Sequence, residues 1–73
     1  MPKLPHLSGR EIVRILMRFG FEVIRQKGSH IVLRRGHTGC VVPDHREAKI
    51  GTLNGILKQA GNTNDEFVAA LRD

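Results

Sequence analysis

The feature that most limits the fold is the short join within FEVIRQ-KGS-HIVLRR, residues 21–35. Two runs rich in β-branched and aromatic residues flank a Gly-containing join, the signature of a hairpin. Parallel strands need a crossover of about a dozen residues or more, so this pair is antiparallel. A third run, CVVP after the turn GHTG, extends the sheet, with Pro43 marking its end or an edge position. If Gly28-Ser29 is a two-residue turn, Lys27 faces His30, Arg25 faces Val32 and Ile24 faces Leu33. Arg25, Lys27, His30 and Arg34 then share one face with Phe21, Val23 and Val32, and Ile24, Ile31 and Leu33 take the other. A turn one residue longer would alter this assignment.

Helices flank the hairpin. After an extended lead-in suggested by the two prolines of MPKLPH, SGRE reads as a capping box in which Ser8 accepts from the Glu11 amide and Glu11 reaches back. Ile12, Ile15, Leu16 and Phe19 recur at helical spacing and form a core stripe. Arg10, Arg14 and Arg18 line the opposite side, more often a solvated face than a binding ridge. Gly20 supplies the left-handed stop. Beyond DHREAK, GTLNGILKQAG is a second helix with Thr52 as N-cap and Gly61 at its end, burying Leu53, Ile56, Leu57 and Ala60. TNDE at Thr63 opens a short third helix that turns Phe67, Ala70 and Leu71 inward. The order α-β-β-β-α-α predicts an α+β sandwich, a three-stranded antiparallel sheet with helices on one face.

Size and charge narrow the function. A chain of 73 residues is expected to form one domain, residues 1–73, with little room for a buried active-site cavity. No apolar run approaches the roughly 20 residues of a membrane span. The lone Cys40 allows no internal disulfide, and the N-terminus lacks a signal-peptide pattern, which fits a cytoplasmic protein. The net charge of +5 is uneven: residues 1–36 carry eight Lys/Arg against two acids, and residues 37–73 carry four against five. A polyanion or an acidic partner at the N-terminal half is the natural reading, against the plainer one of a solvated basic surface.

The candidates for chemistry thin out quickly. His37, Cys40, Asp44 and His45 are close in sequence, but one Cys and two His in a Gly-rich turn match no standard zinc spacing, so no metal or other cofactor is expected. A lone strand Cys is usually a small hydrophobe. GHTG lacks the lysine and following helix of a phosphate loop. A helix-turn-helix reading of the last two helices would place Asn64-Asp65-Glu66 against DNA phosphates, which repel it. His30 remains. Imidazole, with an unperturbed pKa of about 6.5, both takes and gives a proton near neutrality, and beside phosphate-binding cations it suits metal-free RNA cleavage. Lys27, Arg25 and Arg34 would hold the phosphate. From spacing alone, an exposed strand histidine is the commoner explanation.

RQKGSHIVL, then VPDH, then GTLNGILKQAG resemble the HicA (YcfA-like) family of toxin–antitoxin systems, over Ser8 to about Asn62. The resemblance implies a double-stranded-RNA-binding-domain-like α+β fold, an mRNA interferase activity, and neutralisation by a HicB-like antitoxin that covers the active site. It makes His30, in the Gly-Ser-His motif, the catalytic residue. Gly28 then serves the turn, Ser29 is either turn former or phosphate contact, and His45 is a candidate second acid/base or substrate contact, against a loop-capping role. The chain departs from the family in its third helix and in Ile31, where many members carry an aromatic residue or a second His. Two rivals remain: a non-catalytic RNA-binding module, and a protein-interaction domain whose basic face meets an acidic antitoxin.

Overall fold

The computed structural model describes residues 6–72, and the expected extended lead-in over residues 1–5 lies outside them. The elements are α1 (Gly9–Arg18), β1 (Glu22–Lys27), β2 (His30–Arg35), β3 (Thr38–Pro43), α2 (Ile50–Ala60) and α3 (Asn64–Arg72). The sheet is antiparallel in the order β1-β2-β3. This is the α+β architecture the sequence predicts, α-β-β-β-α followed by a further helix.

α1 forms where local signals put it. The Ser8 hydroxyl accepts from the Glu11 amide and the Glu11 carboxylate accepts from the Ser8 amide, both at 3.1 Å. Gly20, at φ 92°, ends the helix in a conformation that favours glycine. Its apolar stripe buries Ile12, Ile15 and Leu16 together with Val13. The sheet answers from one face: Ile31, Leu33, Cys40 and Val42 are buried, as are Leu53, Ile56, Leu57 and Ala60 of α2. Each large side chain that leaves water here contributes roughly 1.5–3 kcal/mol. α3 packs against α1 and adds Phe67 and Ala70 to the same core. Its Thr63–Glu66 capping box is complete, with bonds of 3.1 and 2.8 Å.

Four expectations need correction. A β-bulge interrupts β1 between Val23 and Arg25, so Val23, not Ile24, stands opposite Leu33. The extra residue sends Ile24 out of the ladder, 50% exposed, rather than onto the core face. Phe21 precedes the strand and is buried in the core, not displayed beside the cations. β3 begins at Thr38, two residues before CVVP, because Gly36-His37 alone makes the turn and Arg35 already pairs with Thr38. α2 begins at Ile50 with Lys49 as its N-cap, and Thr52 lies inside the first turn. An antiparallel bridge between Leu7 and Ala48 holds the chain immediately before that start.

Candidate functional site

The β1–β2 turn is two residues long, with Lys27 paired to His30 and Gly28 at φ 59°. Positive φ at the first central position only is the pattern of a II′ turn, which suits the twist of the strands on either side. The register sorts the sheet into rows. Lys27, His30 and Pro43 form one row, Arg25, Val32 and Val41 the next, and Glu22, Arg34 and Gly39 the third. All three rows lie on the face that the helices leave open, since the intervening rows carry the buried Ile31, Leu33, Cys40 and Val42. His30, Lys27, Arg25 and Arg34 are each exposed. The four therefore share one face, as the two-residue turn implied, while Val23 belongs to the other. Gly39 adds no side chain to this face, and Val32 and Val41 give it an apolar middle.

From His30 to Arg34 is four residues along β2, or about 13 Å at the usual strand rise. The face thus offers Lys27 beside the imidazole and Arg25 and Arg34 further along the sheet, in positions that suit successive phosphates of an extended polyanion. Ser29 is exposed in the turn, and its carbonyl accepts the Asp44 amide at 2.6 Å. His45 has both backbone groups engaged, its N–H donating to Pro43 and its carbonyl accepting from Gly9, both at 2.9 Å, while its side chain is exposed.

Several residues around the turn carry no local sequence signal. The Asp44 carboxylate accepts from Arg10 Nε at 3.3 Å and from Gln26 Nε2 at 3.2 Å. Gln26 Nε2 also donates to the Gly28 carbonyl at 3.2 Å. Gly9 lets α1 approach this corner closely: a Cβ there would run into the Pro43 carbonyl oxygen. Only the placing of Asp44 directly after the strand-ending Pro43 hints at any of this in the sequence. The first-helix arginine row is not simply a solvated face. Arg10 binds Asp44, and Arg18 donates to the Ala70 carbonyl at 2.7 Å.

Cys40 is buried, and desolvation raises its thiol pKa, which keeps it protonated and a poor nucleophile. Among the described residues, no three His, Cys, Asp or Glu side chains stand together as a metal-holding group. No described helix is long and apolar enough to cross a membrane.

The profile of the family described as "HicA toxin of bacterial toxin-antitoxin" matches residues 9–61, which take in α1, the whole sheet and α2. α3 lies beyond the matched segment. No curated protein matches the chain.

Proposed function

This chain belongs to the HicA toxin family, and from that premise we propose that it is an mRNA interferase, an endoribonuclease in which His30 transfers the proton without a metal. The family makes it the toxin of a toxin–antitoxin pair and implies a HicB-like antitoxin as its partner. The observation that carries the enzymatic reading is the row Lys27–His30 on the open, cationic face. There the imidazole stands exposed beside Lys27, with Arg25 in the next row, side chains that attract phosphate.

In this reading an RNA strand lies over the open face, with its backbone contacting Lys27, Arg25 and Arg34. His30 exchanges a proton with an oxygen of the scissile linkage, and the neighbouring cations stabilise the charge developing on the phosphate. Gly28 fixes the hairpin end, Ser29 is available to a phosphate oxygen, and His45 is the candidate second proton-transfer group or RNA contact. The substrate places the protein in the cytoplasm. The chain has no Trp or Tyr, and two of its three Phe are fully buried while Phe19 packs on the core. The face is therefore suited to the sugar–phosphate backbone rather than to stacked bases.

The test is cleavage of mRNA by purified protein and by His30→Ala. We expect a loss of about 10²–10⁴ in rate, with an unchanged melting temperature and retained antitoxin binding. Full cleavage by His30→Ala would overturn the assignment. Wild-type protein that binds RNA with a steep salt dependence but never cuts it would favour the non-catalytic module instead.

A further inference from the structure

We infer that Asp44 is a positioning residue for His30, acting through the backbone of the Gly28-Ser29 turn and not by touching RNA. This rests on the reading of His30 as the proton-transfer group.

A two-residue hairpin turn projects the carbonyls of its central residues, and bonds from the rest of the protein to them tie the turn to the fold. Here both are taken. The Ser29 carbonyl accepts the Asp44 amide at 2.6 Å. The Gly28 carbonyl accepts Gln26 Nε2 at 3.2 Å, and the same amide nitrogen donates to Asp44 Oδ2 at 3.2 Å. One residue therefore holds one carbonyl directly and orients the donor that holds the other. His30 is the next residue in the chain, so its Cα inherits whatever play the turn has.

Asp44 is itself well fixed. It follows Pro43, which pairs with His30 across the sheet, and its other carboxylate oxygen accepts Arg10 Nε from the first turn of α1. Its side chain is 20% exposed, whereas that of Arg10 is 77% exposed. The carboxylate therefore sits mostly out of water, between α1 and the hairpin. Gln26 pairs with the buried Ile31, so it belongs to the helix-covered side of the sheet, whereas His30 belongs to the open side. The clamp grips from beneath and the imidazole is displayed above. An RNA strand on the open face meets His30 and not the carboxylate, which would repel it.

Looseness at a catalytic group acts on the transition state more than on substrate affinity, and a misplacement of about 1 Å can cost on the order of 100-fold in rate. The experiment measures steady-state cleavage of one oligoribonucleotide by wild type, His30→Ala, Asp44→Ala, Asp44→Asn and Gln26→Ala, each well below its own melting temperature. Asp44→Ala is expected to lower kcat by about 10–100-fold with little change in KM. Asp44→Asn, which keeps an acceptor for Gln26, should recover part of that loss. Gln26→Ala lies on an exposed strand position and guards against a variant that fails to fold; it should show the same kcat-only defect, smaller. An inactive His30→Ala beside Asp44→Ala or Gln26→Ala at wild-type kcat overturns the inference and leaves the reading of His30 intact. A change confined to KM overturns it too, because Asp44 would then act on RNA binding. Equal cleavage by wild type and His30→Ala removes the reading of His30 itself, and the inference with it.

Discussion

At the end of the sheet where β2 turns into β3, a cation gathers carbonyl oxygens; at the end where β1 turns into β2, an anion gathers N–H donors. The cation is Arg35. It donates to the Phe19 carbonyl at 2.7 Å and to the Ala60 carbonyl at 3.4 Å, and its guanidinium lies 4.6 Å over the Phe21 ring. Phe19 caps the C-terminus of α1 and Ala60 is the last residue of α2. A positive charge there bonds one orphan carbonyl at each helix end and complements both helix dipoles. The anion is Asp44, which draws together the first turn of α1, the side chain of β1 and the turn before His30. Each end is closed by one charged residue that spans three elements. The Arg35 end packs helix termini, and the exposed His37 in its turn is not among the groups that Arg35 bonds. The Asp44 end closes under the displayed His30. The same device serves stability at one end and placement at the other.

The largest expected effect breaks this contrast at the Asp44 end. Gly9→Ala would drive a methyl group against the Pro43 carbonyl, which is backbone and not a flexible side chain that could yield. Overpacking of this kind costs typically 1–3 kcal/mol, and we expect about 3 kcal/mol because neither partner can rotate away. Since Pro43 pairs with His30, cleavage should fall along with the melting temperature. A Gly9→Ala protein with wild-type activity would show that the α1 corner does not govern the site.

Arg35→Ala is expected to do the opposite. The lost charged hydrogen bond and ring contact are partly exposed, so a cost of about 1–2 kcal/mol is reasonable, or roughly 4–15 °C in melting temperature for a domain of this size. kcat and KM, measured well below the new midpoint, should stay at their wild-type values. A kcat defect there would mean the two ends are mechanically coupled.

How far the sequence foretold each end follows the range of the interactions. Both capping boxes, the Gly20 stop, the Gly28-Ser29 turn and the core stripes of α1 and α2 were legible, because each is set by residues within about one helical turn or one strand pair of one another. Lys27, His30, Arg25 and Arg34 came out on one face for the same reason: a two-residue turn fixes the register next to it. The forecast failed at the bulge, where one extra residue at Ile24 moved Val23 to the covered side. It failed again at Thr52, a good capping residue outcompeted by a start three residues earlier, at Lys49, beside the Leu7–Ala48 bridge. The two clamps were invisible for a deeper reason. Asp44 meets Gln26 and Arg10 across 18 and 34 residues, and Arg35 meets Phe19 and Ala60 across 16 and 25. No periodicity encodes such pairs; only the folded sheet brings them together.

The smallest expected effect separates the two ends by acid. Glu11 opens α1 beside the Asp44 corner, and Glu66 opens α3 with Arg35 among the charges that act on it. Both carboxyls titrate below their usual range, first because each accepts a backbone N–H, from Ser8 and Thr63 respectively, and next because each bonds the capping hydroxyl. A depressed folded-state pKa stabilises the fold above the unfolded value of about 4.3 and ceases to do so as pH falls through the folded value. Melting temperature should therefore be flat near neutrality and decline below about pH 4. Both groups are exposed, so the decline should be shallow. Glu11→Gln and Glu66→Gln, each keeping a neutral acceptor, should each lower the neutral-pH midpoint slightly and flatten part of the acid slope. Hydrogen exchange read at α1 and at α3 then assigns each part to its own end. If Glu66→Gln changed acid protection in α1 as much as in α3, the two ends would be titrating as one unit, and the division between the Arg35 and Asp44 clamps would have to be abandoned.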